Sequence, residues 1–139
     1  MEVQNPTTQV NIYLTFNGNC EEAINYYQSI LGGEIKMKST FGEGPMEVPD
    51  SHKDKIMHIE YVFDGCQLLA SDGMGEAPCT IGTNFHVSVF LADKEKAKLT
   101  FVKLGEGGKT QMEFNEVFWG GSFGTLVDKF GIQWMLSCP

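Results

Sequence analysis

The stretch Asn84–Asp93, NFHVSVFLAD, repeats the start of the chain, and this repeat constrains the fold more than any other feature. Sliding the sequence by half its length sets Phe16 on Phe90, Ala23 on Ala97, Tyr27 on Phe101 and Ile30 on Leu104. Both copies run through an alternating strand, a polar cap, a short amphipathic helix and a glycine-rich stop. In this register His86 falls on Ile12. Self-similarity at a fixed spacing marks a structural unit used twice. Two units, each too small to bury a comfortable core alone, are expected to share one. Their strands are then expected to face one another across a cleft, with His86 near the seam.

The 139 residues are expected to form a single domain, 1–139, with repeat modules at 10–72 and 84–137. A formal charge of −8 argues against nucleic acid and anionic membranes as partners, since both are met by clustered Lys and Arg. The acidic residues are scattered, as on a solubilising surface. No apolar run approaches the roughly 20 residues of a membrane span. The N-terminal MEVQNPTTQV lacks the apolar segment of a signal peptide. Cys20, Cys66, Cys79 and Cys138 are dispersed, without a CxxC pair, and read as buried thiols. A cytoplasmic protein is expected.

Taken in order, Met1–Gln9 reads as a polar arm and Val10–Phe16 as a first strand. Asn19 and Glu22 have capping-box spacing ahead of a helix whose buried face is Ala23, Ile24, Tyr27, Ile30 and Leu31. Gly32-Gly33 ends it. Glu34–Phe41 is a second strand, followed by Gly42–Lys55, an aperiodic loop of the kind that serves as a lid or is merely mobile. Ile56–Phe63 and Cys66–Asp72 form a hairpin around Asp64-Gly65. A linker, Gly73–Thr83, leads to the second module. There Phe85–Leu91 is a strand, Asp93 a cap, and Ala97, Thr100, Phe101 and Leu104 a helix face. Strands at Thr110–Phe118, Ser122–Val127 and Ile132–Ser137 follow. The plan is βαβββ twice: an α+β fold with curved mixed sheets and helices outside.

Three segments carry a resemblance: NIYLTFNGNCEEAINYYQSILGG, HKDKIMHIEY and FWGGSFGTLVDKFGIQWML. They are similar to the PhnB-like branch of the vicinal oxygen chelate superfamily, the glyoxalase, bleomycin-resistance and dioxygenase group. The last is the most specific, through its WG, G-x-x-x-D-x-x-G and W-M. The resemblance implies paired βαβββ modules around a curved mixed-sheet cleft, and a homodimer of bacterial type. Members of that branch carry a 3-demethylubiquinone-9 3-methyltransferase description. A methyltransferase needs a glycine-rich turn from strand to helix for its cofactor. Here GEGGK (Gly105–Lys109) leads from helix to strand and GGSFG (Gly120–Gly124) lies between strands, so both read as turns.

Metal-using relatives imply His or Glu at four cleft positions. On this alignment those positions carry Ile12, Leu69, His86 and Met135. Isoleucine and leucine donate no electron pair, and a thioether suits nickel, zinc or manganese poorly. No metal ligand and no cofactor is therefore expected; a divalent metal is the alternative. His86 reads as a neutral, hydrogen-bonded strand residue, as a ligand-contacting or proton-transferring group, or as a metal ligand. His58 and Glu60, spaced to share a sheet face, form either a solvated pair or a general base, with Gln67 or Ser71 nearby. His52 reads as solvated. Of Tyr13, Phe16, Phe41, Tyr61, Phe85, Phe118, Trp119 and Trp134, most are expected in the core, while Trp119 beside Gly120-Gly121 suits a cleft mouth.

The expected ligand contacts are His86, Trp119, Ser71, Ser88, Thr15 and Tyr13. The expected function is binding of a small organic molecule in an aromatic cleft, as the bleomycin-resistance style of sequestration does. The alternatives are a metal-dependent glyoxalase, dioxygenase or thiol-transferase, using His86 with a ligand outside the apolar positions such as Glu60, and the methyltransferase.

Overall fold

The computed structural model describes residues 7–74 and 77–139. Residues 1–6 of the expected polar arm and 75–76 of the linker lie outside the described residues.

Among the described residues, eight strands and two α-helices form two mixed sheets of the same plan. In the first module β1 (Ile12–Thr15) leads to α1 (Cys20–Leu31), then β2 (Glu34–Thr40), β3 (Ile56–Phe63) and β4 (Cys66–Ser71). In the second, β5 (Val87–Phe90) leads to α2 (Lys94–Gly105), then β6 (Lys109–Glu116), β7 (Ser122–Val127) and β8 (Gln133–Cys138). The sheet orders are β1-β4-β3-β2 and β5-β8-β7-β6. The first and last strands of each module run parallel, and the remaining pairs are antiparallel. This is the expected α+β fold of paired βαβββ modules. Several strands are shorter than their apolar pattern: Phe41 opens a 3₁₀ turn, and Phe85 precedes β5 with its ring exposed.

Alternation decides which face of each sheet is buried. Ile59, Tyr61 and Phe63 of β3 and Leu68 and Ala70 of β4 pack with Ala23, Ile24 and Tyr27 of α1. Phe101 and Leu104 of α2 meet Leu126, Trp134 and Leu136 in the same way. The opposite sheet faces carry no helix, and we call them the open faces. Both helix-side layers belong to one core cluster, so the modules share their burial. Each fully buried large apolar side chain there contributes about 1.5–3 kcal/mol.

Local chemistry fixes the connections. Asp64 and Gly65 both have positive φ, 48° and 77°, as the tight hairpin turn requires. Gly33 and Gly108 stand at equivalent places where the chain leaves each helix for its edge strand. A Cβ would lie 2.1 Å from the carbonyl oxygen of Val62 or Val127, so only glycine fits. Asp93 caps α2, its side chain accepting from the Lys96 amide, a contribution of about 1 kcal/mol. The capping box expected from Asn19 and Glu22 does not form: the Asn19 side chain makes no cap hydrogen bond. Asp72, distant in sequence and buried, does that work instead. Its Oδ1 accepts from the amides of Gly18 and Cys20, each at 2.9 Å, and its Oδ2 accepts from Ile56 at 2.8 Å.

The loop Gly42–Lys55 is tied down by two short 3₁₀ turns, Phe41–Glu43 and Asp50–His52. His52 is half-buried rather than solvated, bonded through Nε2 to the Gly73 carbonyl at 2.9 Å and packed on Phe41. The thiols are all free, but only Cys20 and Cys138 are buried; Cys66 is exposed and Cys79 half-exposed, against expectation. They lie on hairpin and linker, where little packs over them.

Asp128 joins the modules. Its Oδ1 accepts from the amides of Phe130 and Ile132, and its Oδ2 accepts from Trp134 Nε1 at 2.8 Å and the Tyr27 hydroxyl of α1 at 2.5 Å. Burial and the adjacent carboxylate push the Tyr27 phenol far above its usual range. The Phe130 ring sits edge-on to Phe16, Tyr26 and Tyr27, so a turn of the second module grips the first helix.

Candidate functional site

The hydrogen-bond ladder shows where the internal repeat slips. The Phe16 amide donates to Ser71 O, and the Leu91 amide donates to Ser137 O. Phe16 and Leu91 are therefore structural counterparts, although the helices align Phe16 with Phe90 in sequence. The strand register differs by one residue from the helix register. In it His86 corresponds to Asn11, and Ile12 corresponds to Val87. The sequence pairing of Ile12 with His86 is thus corrected. A one-residue slip turns every side chain to the other face of the sheet, so the slip decides which residues meet.

The central row of the first open face runs Tyr13–Leu69–Glu60–Met37 across β1, β4, β3 and β2. Its counterpart in the second module is Ser88–Met135–Thr125–Met112. At the centre of the open faces the first and last strands of each module pair Tyr13 with Leu69 and Ser88 with Met135. Ile12 shares the face of Leu14, so Tyr13 and not Ile12 lies on the open face. His86 lies one step outward, before β5. These side chains do not fit a divalent metal, because a phenol, a hydroxyl, a thioether and an alkyl group offer no set of strong N or O donors. Among the described residues no three His, Cys, Asp or Glu side chains converge on one point.

Chemistry concentrates on the first open face. The Tyr13 hydroxyl lies 2.9 Å from His58 Nδ1, and His58 Nε2 lies 3.1 Å from Glu60 Oε2. Strand spacing puts His58 and Glu60 on one face, and Tyr13 reaches His58 across β4. The Tyr13 and His58 rings are nearly parallel, 29° apart. A carboxylate accepts, so where His58 donates from Nε2 to Glu60 its Nδ1 lone pair is the acceptor for the Tyr13 O–H. Burial pushes the Tyr13 phenol above its ordinary range; contact with the Ser71 hydroxyl opposes this, and Cys20 adds to it. Tyr13 remains a neutral donor. Ser39 stands across from His58 in the β2–β3 register, and its buried hydroxyl has no partner among the described residues.

Ser71 is buried, its hydroxyl bonded to the Ile56 carbonyl and the Gly73 amide, which leaves it structural work. Thr15 and Tyr13 also line a cavity of about 220 Å³ at the seam, with Cys79, Ile81, Phe85 and Gln133 around it. His86 is half-buried, with Nε2 3.3 Å from Gln111 Oε1, and Gln111 contacts Gln133 in turn. Ser88 lies on the second open face. Trp119 projects from the β6–β7 turn, 62% exposed, edge-on to Phe118 and Phe123. The structure thus brings Tyr13, Thr15 and Ser71 together, and places His86, Ser88 and Trp119 on the other module. Phe16, Phe41, Tyr61 and Trp134 are core, whereas Tyr13, Phe85, Phe118 and Trp119 are exposed, so the aromatics divide evenly instead of lying mostly inside.

This geometry has known counterparts. The family model described as 3-demethylubiquinone-9 3-methyltransferase matches residues 8–137. The chain belongs to that family. It is similar to the protein YjdN of Escherichia coli (strain K12), at 34% identity over 135 residues, covering 90% of this chain and 91% of YjdN. Among solved structures it is similar to PA1353 of Pseudomonas aeruginosa, with a TM-score of 0.87 and 39% identity over 95% of this chain and 98% of that one. The PhnB protein of Bacillus cereus follows with 0.80 and 25%, over 95% and 100%. The fold alone extends to the fosfomycin resistance protein FosX of Listeria monocytogenes, at 12% identity and a TM-score of 0.64 over 96% and 94%. A glyoxalase-related enzyme of Fulvimarina pelagi also shares it, at 17% and 0.62 over 94% and 88%. The vicinal oxygen chelate fold expected from the sequence is therefore the fold of this chain. No described helix is long and apolar enough to cross a membrane.

Proposed function

We propose that this protein binds a small, largely uncharged organic molecule in a cleft completed by a second copy of itself, in the cytoplasm and without a bound divalent metal. One observation carries the reading: the open faces expose aromatic and hydroxyl side chains together, with Tyr13 49% and Phe90 64% exposed, while their central strand pairs are Tyr13 with Leu69 and Ser88 with Met135. Aromatic walls with a few placed polar groups are how planar small molecules are held. Exposed Phe90, Phe118 and Trp119 are side chains a partner copy or a ligand would cover. In this reading Tyr13, Thr15 and Ser71 belong to one wall and His86, Ser88 and Trp119 to the other.

The family description suggests methyl transfer, but the glycine-rich stretches have packing roles: Gly108 and Gly121 lie against the carbonyls of Val127 and Cys138. A metal-dependent enzyme is favoured by one feature, the His58–Glu60 pair, which offers one nitrogen and one oxygen donor. Sedimentation and elemental mass spectrometry on untagged protein test the reading together. A metal-poor dimer is the expected result. Near-stoichiometric nickel, zinc, manganese or iron that His58→Ala removes would instead favour the enzyme, and calorimetric binding of S-adenosylmethionine would favour the methyltransferase.

A further inference from the structure

The geometry points to Tyr13, His58 and Glu60 as a proton relay whose face takes an uncharged planar molecule with an acidic hydroxyl, of the phenol or enol class. The inference rests on the ligand-cleft reading above and adds the chemistry of the ligand. The chain of donors has a direction. Glu60 fixes the His58 proton on Nε2 at 3.1 Å, so Nδ1 is the accepting end, 2.9 Å from the Tyr13 oxygen. Tyr13 is half-exposed while the side chains behind it are only 27% and 32% exposed, so the phenol oxygen is the relay's outward end.

The transfer balances without a co-reactant. The ligand O–H bond breaks and its proton passes to the Tyr13 oxygen. The Tyr13 proton moves to His58 Nδ1, and the electron pair stays on the ligand oxygen. The resulting imidazolium is held against the Glu60 carboxylate, and the reverse sequence restores every group. A phenol that stays neutral suits a relay that passes protons through rather than storing charge.

The same face sets the ligand class. The side chains paired around it include Met37, Ser39, Leu69, Ser71 and Thr15, none of them basic. Lys38 is held by Glu21 at α1, Lys55 donates to the Gly18 carbonyl, and Lys36 at the β2 bulge lines a separate cavity with Glu34, Val62 and Gln67, so none is bonded to the relay. An anionic ligand stacked on Tyr13 and His58 would meet Glu60 with no cation hydrogen-bonded to that carboxylate other than the imidazole itself. The nearly parallel Tyr13 and His58 rings beside Leu69 offer a flat, weakly polar surface instead.

Two measurements on the full chain test this. First, imidazole nitrogen NMR should show His58 as the Nε2–H tautomer, with that preference lost in Glu60→Gln; a free-imidazole tautomer mixture would overturn the relay. Second, 4-nitrophenol, coloured on ionisation, and its methyl ether 4-nitroanisole serve as probes below the phenol's own ionisation range. Bound 4-nitrophenol should be ionised at least roughly tenfold more than in solution, a shift of one pKa unit. Tyr13→Phe and His58→Gln, checked for folding by circular dichroism, should abolish that excess. Binding of both probes without ionisation overturns the relay and leaves the cleft reading standing. Failure of both probes to bind at millimolar concentration counts against the cleft reading itself.

Discussion

The two modules share a plan and differ in almost everything that could do chemistry. Position for position, Tyr13, Glu60 and His58 of the first open face meet Ser88, Thr125 and Phe123 of the second. Leu69 and Met37 meet Met135 and Met112, apolar against apolar. The repeated backbone has thus kept its alternation, while the positions that hold Tyr13, His58 and Glu60 in one face hold Ser88, Phe123 and Thr125 in the other. The buried aspartates differ in the same spirit. Asp72 serves its own module, fastening the start of α1 to β3, whereas Asp128 reaches between modules to Tyr27. A repeated fold therefore constrains packing far more than it constrains surface function.

That contrast can be broken most sharply at the aspartates. Asp128→Ala leaves the Tyr27 hydroxyl, the Trp134 indole and two amides without their acceptor, and should cost about 4 kcal/mol in urea unfolding. Asp72→Ala strands three amides, all main-chain, and should cost about 3 kcal/mol. A larger loss for Asp72 would mean that the helix start, not the module junction, is the weaker link.

Tyr27→Phe should cost about 1.5 kcal/mol near neutrality, because it removes one of the four bonds to Asp128. The sign of its pH dependence follows from the raised phenol pKa. The wild-type contribution is complete below the unfolded phenol value of about 10 and is lost as pH rises above it. Alkaline unfolding should therefore come later in Tyr27→Phe relative to its own neutral stability. Equal alkaline profiles would show that Tyr27 does not couple the modules in this way.

On the open faces, the effects on stability should be small. His58→Phe gives the first module the residue its counterpart carries, and should shift stability by less than about 1 kcal/mol. A loss near that of Asp72→Ala would mean that Tyr13–His58–Glu60 is a structural tie between strands. The smallest effect concerns the thiols. Cys66 should react first with a thiol reagent, and Cys20, whose thiol is pushed up by burial and by Asp72 and Glu21, only on unfolding. Mass spectrometry of the labelled peptides reads the order.

Much of this was legible beforehand because local patterns are strong where they bury a face. The Ile56–Phe63 and Ser122–Val127 strands, the Asp64-Gly65 turn and both helix faces follow from alternation, turn chemistry and helical spacing. The His58–Glu60 pair was legible from strand spacing, and Tyr13 was marked as a contact, but nothing local joins the two. Their bond spans 45 positions in sequence and depends on β4 lying between β1 and β3. His86 drew attention as the counterpart of Ile12 because the helices are the better-matched part of the repeat. One residue fewer between strand and helix in the second module was invisible to that match.

The sequence by itself determined the repeat, the α+β plan, the buried faces and the acidic surface, because each depends on residues close together in the chain. Only the tertiary structure decided which side chains meet: Asp72 in place of Asn19 at α1, Asp128 beneath Tyr27, and Tyr13 rather than Ile12 facing His58. Those outcomes depend on strand register and sheet order, where a shift of one residue reverses every side chain and local preference is nearly indifferent to the choice.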